Sequence, residues 1–236
     1  MRSLKRIATG VLVAGLSLGS IGTASAQVRP TRTPGPLFDA AKQACDTAVN
    51  NRLSRITTLQ GLTRNSQHVT ADHSSTLLSQ LASASNALSQ LKAKIDADTD
   101  PSTLRTDCRS IVQDFRIYML VSPKVREVLV ADLETAIASR LSTIAGRIQT
   151  AIDNAKAKGK NVATAQSDLD QMKTAITNAQ SAIGGVASSV INLQPSDWPG
   201  AHDTLVNGRQ SLRTGRDDMR SARNDGWNAA QALRQS

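Results

Sequence analysis

The chain has 236 residues, with 28 Lys and Arg against 19 Asp and Glu and a formal net charge of +9. Only 2% of the residues are aromatic. Sugar-binding platforms and single-strand nucleic-acid grooves depend on stacking rings, so both are disfavoured. The basic excess favours acidic surfaces as partners. The low aromatic content predicts no specific nucleic acid as a partner.

The N-terminus has the pattern of a secretory signal peptide over residues 1–26. Basic residues precede a largely apolar run from Ile7 to Ile21, and a small-residue cleavage pattern ends at Ala26. The run is shorter than the ~20 apolar residues of a spanning helix. We expect Sec-dependent export, cleavage near Ala26 and a flexible leader over residues 27–35. The mature protein is then secreted or associated with the cell wall and has no membrane span.

Three helices are predicted before residue 122. The first spans Pro36 to Asn65, and the second follows an N-cap at Thr70. The third starts at Asp100 and Pro101, a capping residue followed by a proline suited to the first helical turn. Aspartates before Pro101 approach the spacing of a calcium loop. Proline stands where that loop needs glycine, so no metal is predicted.

The two cysteines of the chain, Cys45 and Cys108, are predicted to form a disulfide. In an up-down-up arrangement the first and third helices begin at the same end. A rise of ~1.5 Å per residue then brings both thiols to a similar height. Export to an oxidising compartment favours the bond. The alternative is two buried thiols that behave as small apolar residues.

Three longer helices are predicted after residue 122. Ser122 and Pro123 either end the third helix or kink it, and the fourth extends to about Lys158 before Gly159. The apolar residues expected to face its neighbours are Val130, Leu133, Ile137, Leu141, Ile144, Ile148, Ile152 and Ala155. The fifth helix repeats apolar residues in alternating steps of 3 and 4 from Val162 to Leu193, as expected of a packed helix. A Gly184-Gly185 pair can bend this helix without removing its pattern.

The sixth helix repeats the same steps from Trp198 to Leu233, but glycine stands at three of its inward positions, Gly208, Gly215 and Gly226. Glycine inside a helix costs about 1 kcal/mol relative to alanine. The glycines therefore indicate either close approach of a neighbouring backbone or a loosely packed helix.

These patterns predict an all-α protein: an elongated antiparallel helical bundle or coiled coil of five to six helices. We expect an N-terminal three-helix unit with the disulfide over residues 36–122 and a C-terminal three-helix unit over residues 123–236. The two units stack end to end as a rod or fold side by side, depending on the kink at Pro123, and we favour the rod.

An arginine stripe on the sixth helix is the candidate anion-binding feature. It comprises Arg209, Arg213, Arg216, Arg220 and Arg223, in steps of 4 and 3. The alternative is pairing within the chain, with Asp217, Asp218 or acids of adjacent helices. The fourth helix offers mainly Arg140, Arg147 and Asp153 opposite the stripe, so we expect part of the stripe to stay unpaired.

One segment resembles a recurrent part of secreted, Ala-rich helical proteins of high-GC Gram-positive bacteria, an uncharacterised group. It covers residues 91–133, LKAKIDADTDPSTLRTDCRSIVQDFRIYMLVSPKVREVLVADL. The resemblance implies export and a helical fold. It implies no activity and no site residue.

No recognisable catalytic motif occurs in the sequence, and its three histidines are scattered. We predict a non-enzyme without cofactor or metal: a secreted structural or interaction protein of the cell envelope. Its expected partner is an anionic cell-wall polymer or an envelope protein, contacted through the basic helix face. The alternative is a helical-bundle carrier of a small apolar or anionic ligand. Self-association stays open, because regular apolar helix faces can also pack between chains.

Overall fold

The described part of the chain, residues 35–235 of a computed structural model, consists of α-helices and short helical turns and has no strand. The prediction of an all-α helical bundle is confirmed. The signal peptide, and all of the predicted leader except Gly35, lie outside the described residues. The helices are α1 (Pro36–Asn65), α2 (Ala71–Ala97), α3 (Pro101–Gln113), α4 (Ser122–Ala157), α5 (Ala163–Ile183), α6 (Val186–Ile191) and α7 (Gly200–Gln235).

The predicted caps set the starts of α2 and α3. Thr70 Oγ1 accepts a hydrogen bond from the backbone N–H of His73 at 3.2 Å. Asp100 Oδ2 accepts hydrogen bonds from the backbone N–H groups of Ser102 at 3.0 Å and Thr103 at 2.9 Å. These oxygens satisfy N–H groups that have no partner inside their own helix.

The disulfide between Cys45 and Cys108 is present and joins α1 to α3, with the two Cα atoms 5.5 Å apart. The disulfide predicted from the positions of the two cysteines along their helices is therefore confirmed. The large apolar residues predicted to face inward on α2 are buried as well: Leu77, Leu81, Leu88, Leu91 and Ile95. The first three helices are thus held together by an apolar interior and one covalent bond.

Helix α3 ends earlier than the Ser122-Pro123 break had suggested. It stops at Gln113, and Arg116 adopts a left-handed conformation with φ of 43°. A π-helical turn (Ile117–Val121) then leads directly into α4, with Pro123 in its first turn. Proline is tolerated there because the first turn lacks intrahelical acceptors for its N–H groups. The left-handed residue is anchored by its own side chain, whose Nε donates to Pro195 O at 3.2 Å.

Polar contacts cross the predicted unit boundary at residue 122. Gln80 Nε2 on α2 donates to Ile191 O at 3.0 Å. Lys124 Nζ on α4 donates to Gln80 Oε1 at 2.6 Å and to Leu193 O at 2.9 Å. Burial lowers the pKa of Lys124 to about 8, while the charge of Asp197 opposes the shift. These bonds tie α2, α4 and the end of α6 together. The division into two units stays a prediction.

The predicted fifth helix is two helices, α5 and α6, separated at Gly184 and Gly185. Its inward pattern continues across the break, because residues on both sides of it are buried: Ala165, Leu169, Met172, Ile176, Ala179, Ile183, Val186 and Val190. On α7 the predicted inward positions from residue 201 to residue 229 are all buried: Ala201, Leu205, Gly208, Leu212, Gly215, Met219, Ala222, Gly226 and Ala229.

The inward face of α4 differs from the prediction. Leu133, Ile137 and Ile144 remain 38%, 38% and 45% exposed. Two of the predicted residues, Leu141 and Ile152, are buried. The helix also buries Ala131, Ala138 and Ala145, which were not predicted and recur every seven residues. The small side chains at these three positions let neighbouring helices approach α4 closely. Leu133, Ile137 and Ile144 lie on an outer face of the helix.

The glycines of α7 mark close helix contacts, as one of the two sequence interpretations proposed. A Cβ added at Gly215 would lie 2.4 Å from Ile183 Cγ2, and one at Gly208 would lie 2.7 Å from Glu127 Oε2. Both distances are shorter than real Cβ contacts. Glycine is required most clearly at Gly215, where the neighbouring atom belongs to a branched side chain close to the α5 backbone, whereas the neighbour of Gly208 is the end of a flexible side chain.

We expect Gly215→Ala to lower the free energy of unfolding by about 1 kcal/mol, because overpacking outweighs the gain in helix propensity. Gly146→Ala in α4 is the matched control, since an added Cβ there meets no atom within 4 Å. The control should raise stability by roughly 0.5–1 kcal/mol. Urea unfolding followed by circular dichroism measures both variants. Equal gains from the two substitutions would show that α7 is loosely packed.

Candidate functional site

An arginine-lined cavity of about 440 Å³ lies where α1, α4 and α7 meet. Tyr118, Ser122, Pro123, Val130 and Leu212 supply uncharged parts of its lining, and Glu127 adds a carboxyl group. We call it the arginine cavity after the side chains that define it: Arg55, Arg126, Arg209, Arg213 and Arg216. Five arginine residues from three helices thus line one space.

Three of these arginines come from the predicted stripe. Arg209, Arg213 and Arg216 follow one another in steps of 4 and 3, which places them on one face of α7. This face lies beside the glycine-rich buried face that packs closely on its neighbours. Because the helices approach closely, long side chains at the flank of α7 reach the adjacent surface of α4.

The other two arginines were missed by sequence reasoning. Arg55 is held in place by its Nε, which donates to Ser122 Oγ at 3.0 Å. Arg126 is an exposed residue in the second turn of α4. Both are distant in sequence from α7, and nothing in their local pattern indicates that they approach it.

Two buried acids of α4 pair with the stripe. Arg209 Nη1 lies 3.3 Å from Glu127 Oε1, and Arg216 contacts Glu134 Oε1 through Nη2 at 2.8 Å and Nε at 3.1 Å. Each pair is separated by 82 residues in the sequence. The expectation that α4 offers mainly Arg140, Arg147 and Asp153 opposite the stripe was therefore wrong. The matching seven-residue spacings of the acids and their arginines are the signal that could have revealed the pairs.

The equal offset also gives the helix directions. Because both pairs share one offset, α4 and α7 run parallel, as the first and third helices of an up-down-up bundle do.

The pairing within α7 that was the alternative for the stripe occurs at one of its arginines, since Arg220 Nη1 contacts Asp217 Oδ1 at 2.7 Å. By contrast, Arg126, Arg213 and Arg223 make no hydrogen bond or ion pair with any residue that the structure describes. Part of the predicted stripe is thus free to meet a ligand.

Burial changes the chemistry of the two acids. Glu127 is 4% exposed and Glu134 is 3% exposed. Burial raises the pKa of Glu127 to about 7, against the opposing charge of Arg209. Burial also raises the pKa of Glu134, opposed by its hydrogen bond and ion pair with Arg216. Protonation of Glu127 near neutral pH removes a negative charge from the arginine cavity, so the cavity becomes more cationic as the pH falls.

The arginine cavity therefore gathers three of the five predicted stripe residues and leaves Arg220 and Arg223 outside it. Within residues 35–235, no group of three or more His, Cys, Asp and Glu side chains is arranged to hold a metal ion. None of the helices in that range combines the length and the apolar character needed to cross a bilayer. The geometry fits the binding of an anion by guanidinium groups.

Comparison of the chain with protein-family models, with curated proteins and with solved structures found no match. The arrangement of the arginine cavity is therefore the feature from which a function can be inferred.

Proposed function

We propose that the protein is a secreted, non-catalytic binding protein of the cell envelope that holds an anionic polymer in the arginine cavity. The observation that carries the proposal is the convergence of five arginines from three helices, two of which, Arg126 and Arg213, have no partner among the described residues. Guanidinium groups bind phosphate and carboxylate through two parallel hydrogen bonds. A cluster in which two such groups lack a partner among the described residues suits a ligand with closely spaced anionic groups.

A polymer fits better than a single small anion because exposed arginines continue beyond the cavity. Arg220 and Arg223 extend the row on α7, which spans about 21 Å from Arg209 to Arg223 at ~1.5 Å per residue. Exposed Arg140 and Arg147 share the helical phase of Arg126 on α4. Since α4 and α7 run parallel, the two rows follow the same direction. A chain of repeated phosphate or carboxylate groups can contact the cavity and the rows together.

Placement in the cell envelope rests on the predicted signal peptide and on the disulfide. A stable disulfide suits a compartment outside the reducing cytoplasm. Anionic wall polymers are abundant there in the bacterial group that residues 91–133 resemble. A cationic, disulfide-bonded helical protein would meet such polymers directly after export.

Binding to immobilised long-chain polyphosphate tests the proposal, with retention on purified, protein-free cell wall as the second assay. We expect the Arg126→Gln/Arg213→Gln variant to bind roughly tenfold more weakly than the wild type, a loss of about 1.4 kcal/mol. The matched control is Arg105→Gln/Arg109→Gln, which removes two exposed charges from α3. It should change the dissociation constant by less than about twofold, because exposed charges away from the site act only weakly. If both variants lost affinity equally, the loss would be explained by the lower net charge alone. That result would refute a binding site at the arginine cavity.

A further inference from the structure

A second cavity, of about 500 Å³, lies between α4, α5 and α7 and has mainly apolar walls. Ile144 and Ile148 of α4, Met172 of α5 and Trp227 of α7 supply much of its surface. We call this cavity the apolar groove. It shares no lining residue with the arginine cavity.

The walls of the apolar groove leave large hydrophobic side chains in contact with water. Trp227 is 61% exposed and Ile144 is 45% exposed, whereas Met172 is 1% exposed and forms part of the floor. Covering apolar surface stabilises a complex by roughly 25 cal/mol for each Å² removed from water. A ligand with an apolar body would therefore gain free energy by lying against Ile144 and Trp227.

The floor is fixed by close packing at Gly226. A Cβ added there would lie 2.8 Å from Met172 Sδ and 3.6 Å from Ile148 Cδ1. The glycine allows the Met172 side chain to approach the α7 backbone, so the floor is already filled by the protein. The room for a ligand lies above it, between Ile144 and Trp227.

One cation lines the apolar groove. Arg223 contributes to the lining and makes no hydrogen bond or ion pair with any described residue. A guanidinium group is suited to bidentate binding of a carboxylate. Hydrophobic walls with one placed charged group are typical of small-molecule sites, where the polar group fixes the orientation of the ligand.

We propose that the apolar groove binds a single-chain aliphatic carboxylate, with the carboxylate on Arg223 and the chain against Trp227 and Ile144. The single cation matches one carboxylate rather than a repeated polyanion, and the apolar walls match a hydrocarbon chain. The concave shape and buried floor suit one chain better than a bilayer surface, which would meet protruding side chains. None of the residues that line the arginine cavity takes part in this binding, although Arg223 also stands at the end of the arginine row that the proposed polymer would contact.

Calorimetric titration with sodium dodecanoate, below the concentration at which it forms micelles, tests the proposal. We expect saturable binding with one ligand per chain. Arg223→Gln should weaken it roughly tenfold, whereas Arg220→Gln should leave the dissociation constant within about twofold. Arg220 is the matched control because it is an exposed arginine of α7 outside the groove. Trp227→Ala should also weaken binding, through loss of the chain contact.

Dodecyltrimethylammonium bromide serves as the probe with the same chain and the opposite charge, and we expect the wild type to bind it at least about tenfold more weakly. Circular dichroism of each variant checks that the fold is intact. The proposal is overturned if dodecanoate shows no saturable binding, or if Arg223→Gln and Arg220→Gln lose affinity equally. It is also overturned if vesicles of anionic phospholipid bind the protein while free dodecanoate does not, since the groove would then contact a membrane.

Discussion

Replacement of both Cys45 and Cys108 by serine is expected to lower the free energy of unfolding by about 4 kcal/mol. The bond closes a loop between residues that are 63 positions apart, and a cross-link over a long loop restricts the unfolded chain strongly. Both sulfur atoms belong to half-buried residues at the α1–α3 contact. Their loss leaves the three N-terminal helices joined by apolar packing and by polar contacts such as the one from Lys92 Nζ to Asp46 Oδ1 at 3.1 Å.

Urea unfolding followed by circular dichroism at the helical band measures this effect. Wild-type protein unfolded in the presence of a reductant should behave like the double serine variant, because both lack the same cross-link. The two substitutions remove little apolar surface, so the cross-link should account for most of the loss. A difference below about 1 kcal/mol would show that the cross-link adds little to an already ordered helical contact.

The stability of the wild-type protein is expected to fall as the pH rises from 4.5 to about 7, owing to Glu127, whose pKa is raised to that upper value by burial. Below pH 4.5 the folded and unfolded states both hold the proton on Glu127, and the contribution of this residue to stability is fully present. Between these values only the folded state holds it, so a rising pH favours unfolding. The contribution lost across this window is roughly 3 kcal/mol.

Glu127→Gln isolates this contribution, because the amide resembles the neutral carboxyl group that the folded state prefers. Urea unfolding at several pH values should show a smaller decrease between pH 4.5 and about 7 in the variant than in the wild type. Above the upper value the variant should be the more stable protein. Identical pH profiles would mean that Glu127 has the same pKa in the folded and unfolded states, so that burial does not raise it.

The same protonation has a consequence for ligand binding. Glu127 lines the arginine cavity, so loss of its negative charge leaves Arg209 and its neighbours less neutralised. Anion binding should therefore strengthen as the pH falls through about 7. A retained pH dependence in Glu127→Gln would assign that effect to another group.

The features that sequence reasoning predicted well are those set by local chemistry and regular spacing. Thr70 and Asp100 cap their helices because their side chains reach N–H groups two or three residues away. The inward positions of α7 were predictable because its apolar and glycine residues recur in steps of 3 and 4, which places them on one face of the helix. The Cys45–Cys108 bond followed from the heights of two residues on helices that begin at one end.

The features that were missed depend on contacts between distant parts of the chain. Glu127 and Glu134 are charged residues on a buried face, and only partners 82 residues away explain them. Helix α3 ends shortly before Arg116, whose guanidinium lies 5.3 Å from the ring centroid of the distant Trp198. On α4 the prediction followed the large aliphatic residues and did not include the alanines at positions 131, 138 and 145, which the helix buries.

The candidate site was predictable in part for the same reason. The stripe on α7 is visible in the sequence because its five members share one helix face. Arg55 and Arg126 belong to the arginine cavity only because the fold brings α1 and α4 beside α7. The apolar groove likewise combines residues of α4, α5 and α7, and no single helix shows its shape.

The salt dependence of polyphosphate binding tests the proposed function most directly. Each contact between a basic group and a flexible polyanion releases counterions and contributes roughly 0.7 to the slope of log affinity against log salt concentration. If Arg126 and Arg213 both contact the polymer, their replacement by glutamine should make the slope shallower by about 1.4. The Arg105→Gln/Arg109→Gln control should keep the wild-type slope. An unchanged slope in the Arg126→Gln/Arg213→Gln variant would contradict the claim that the arginine cavity holds the polymer.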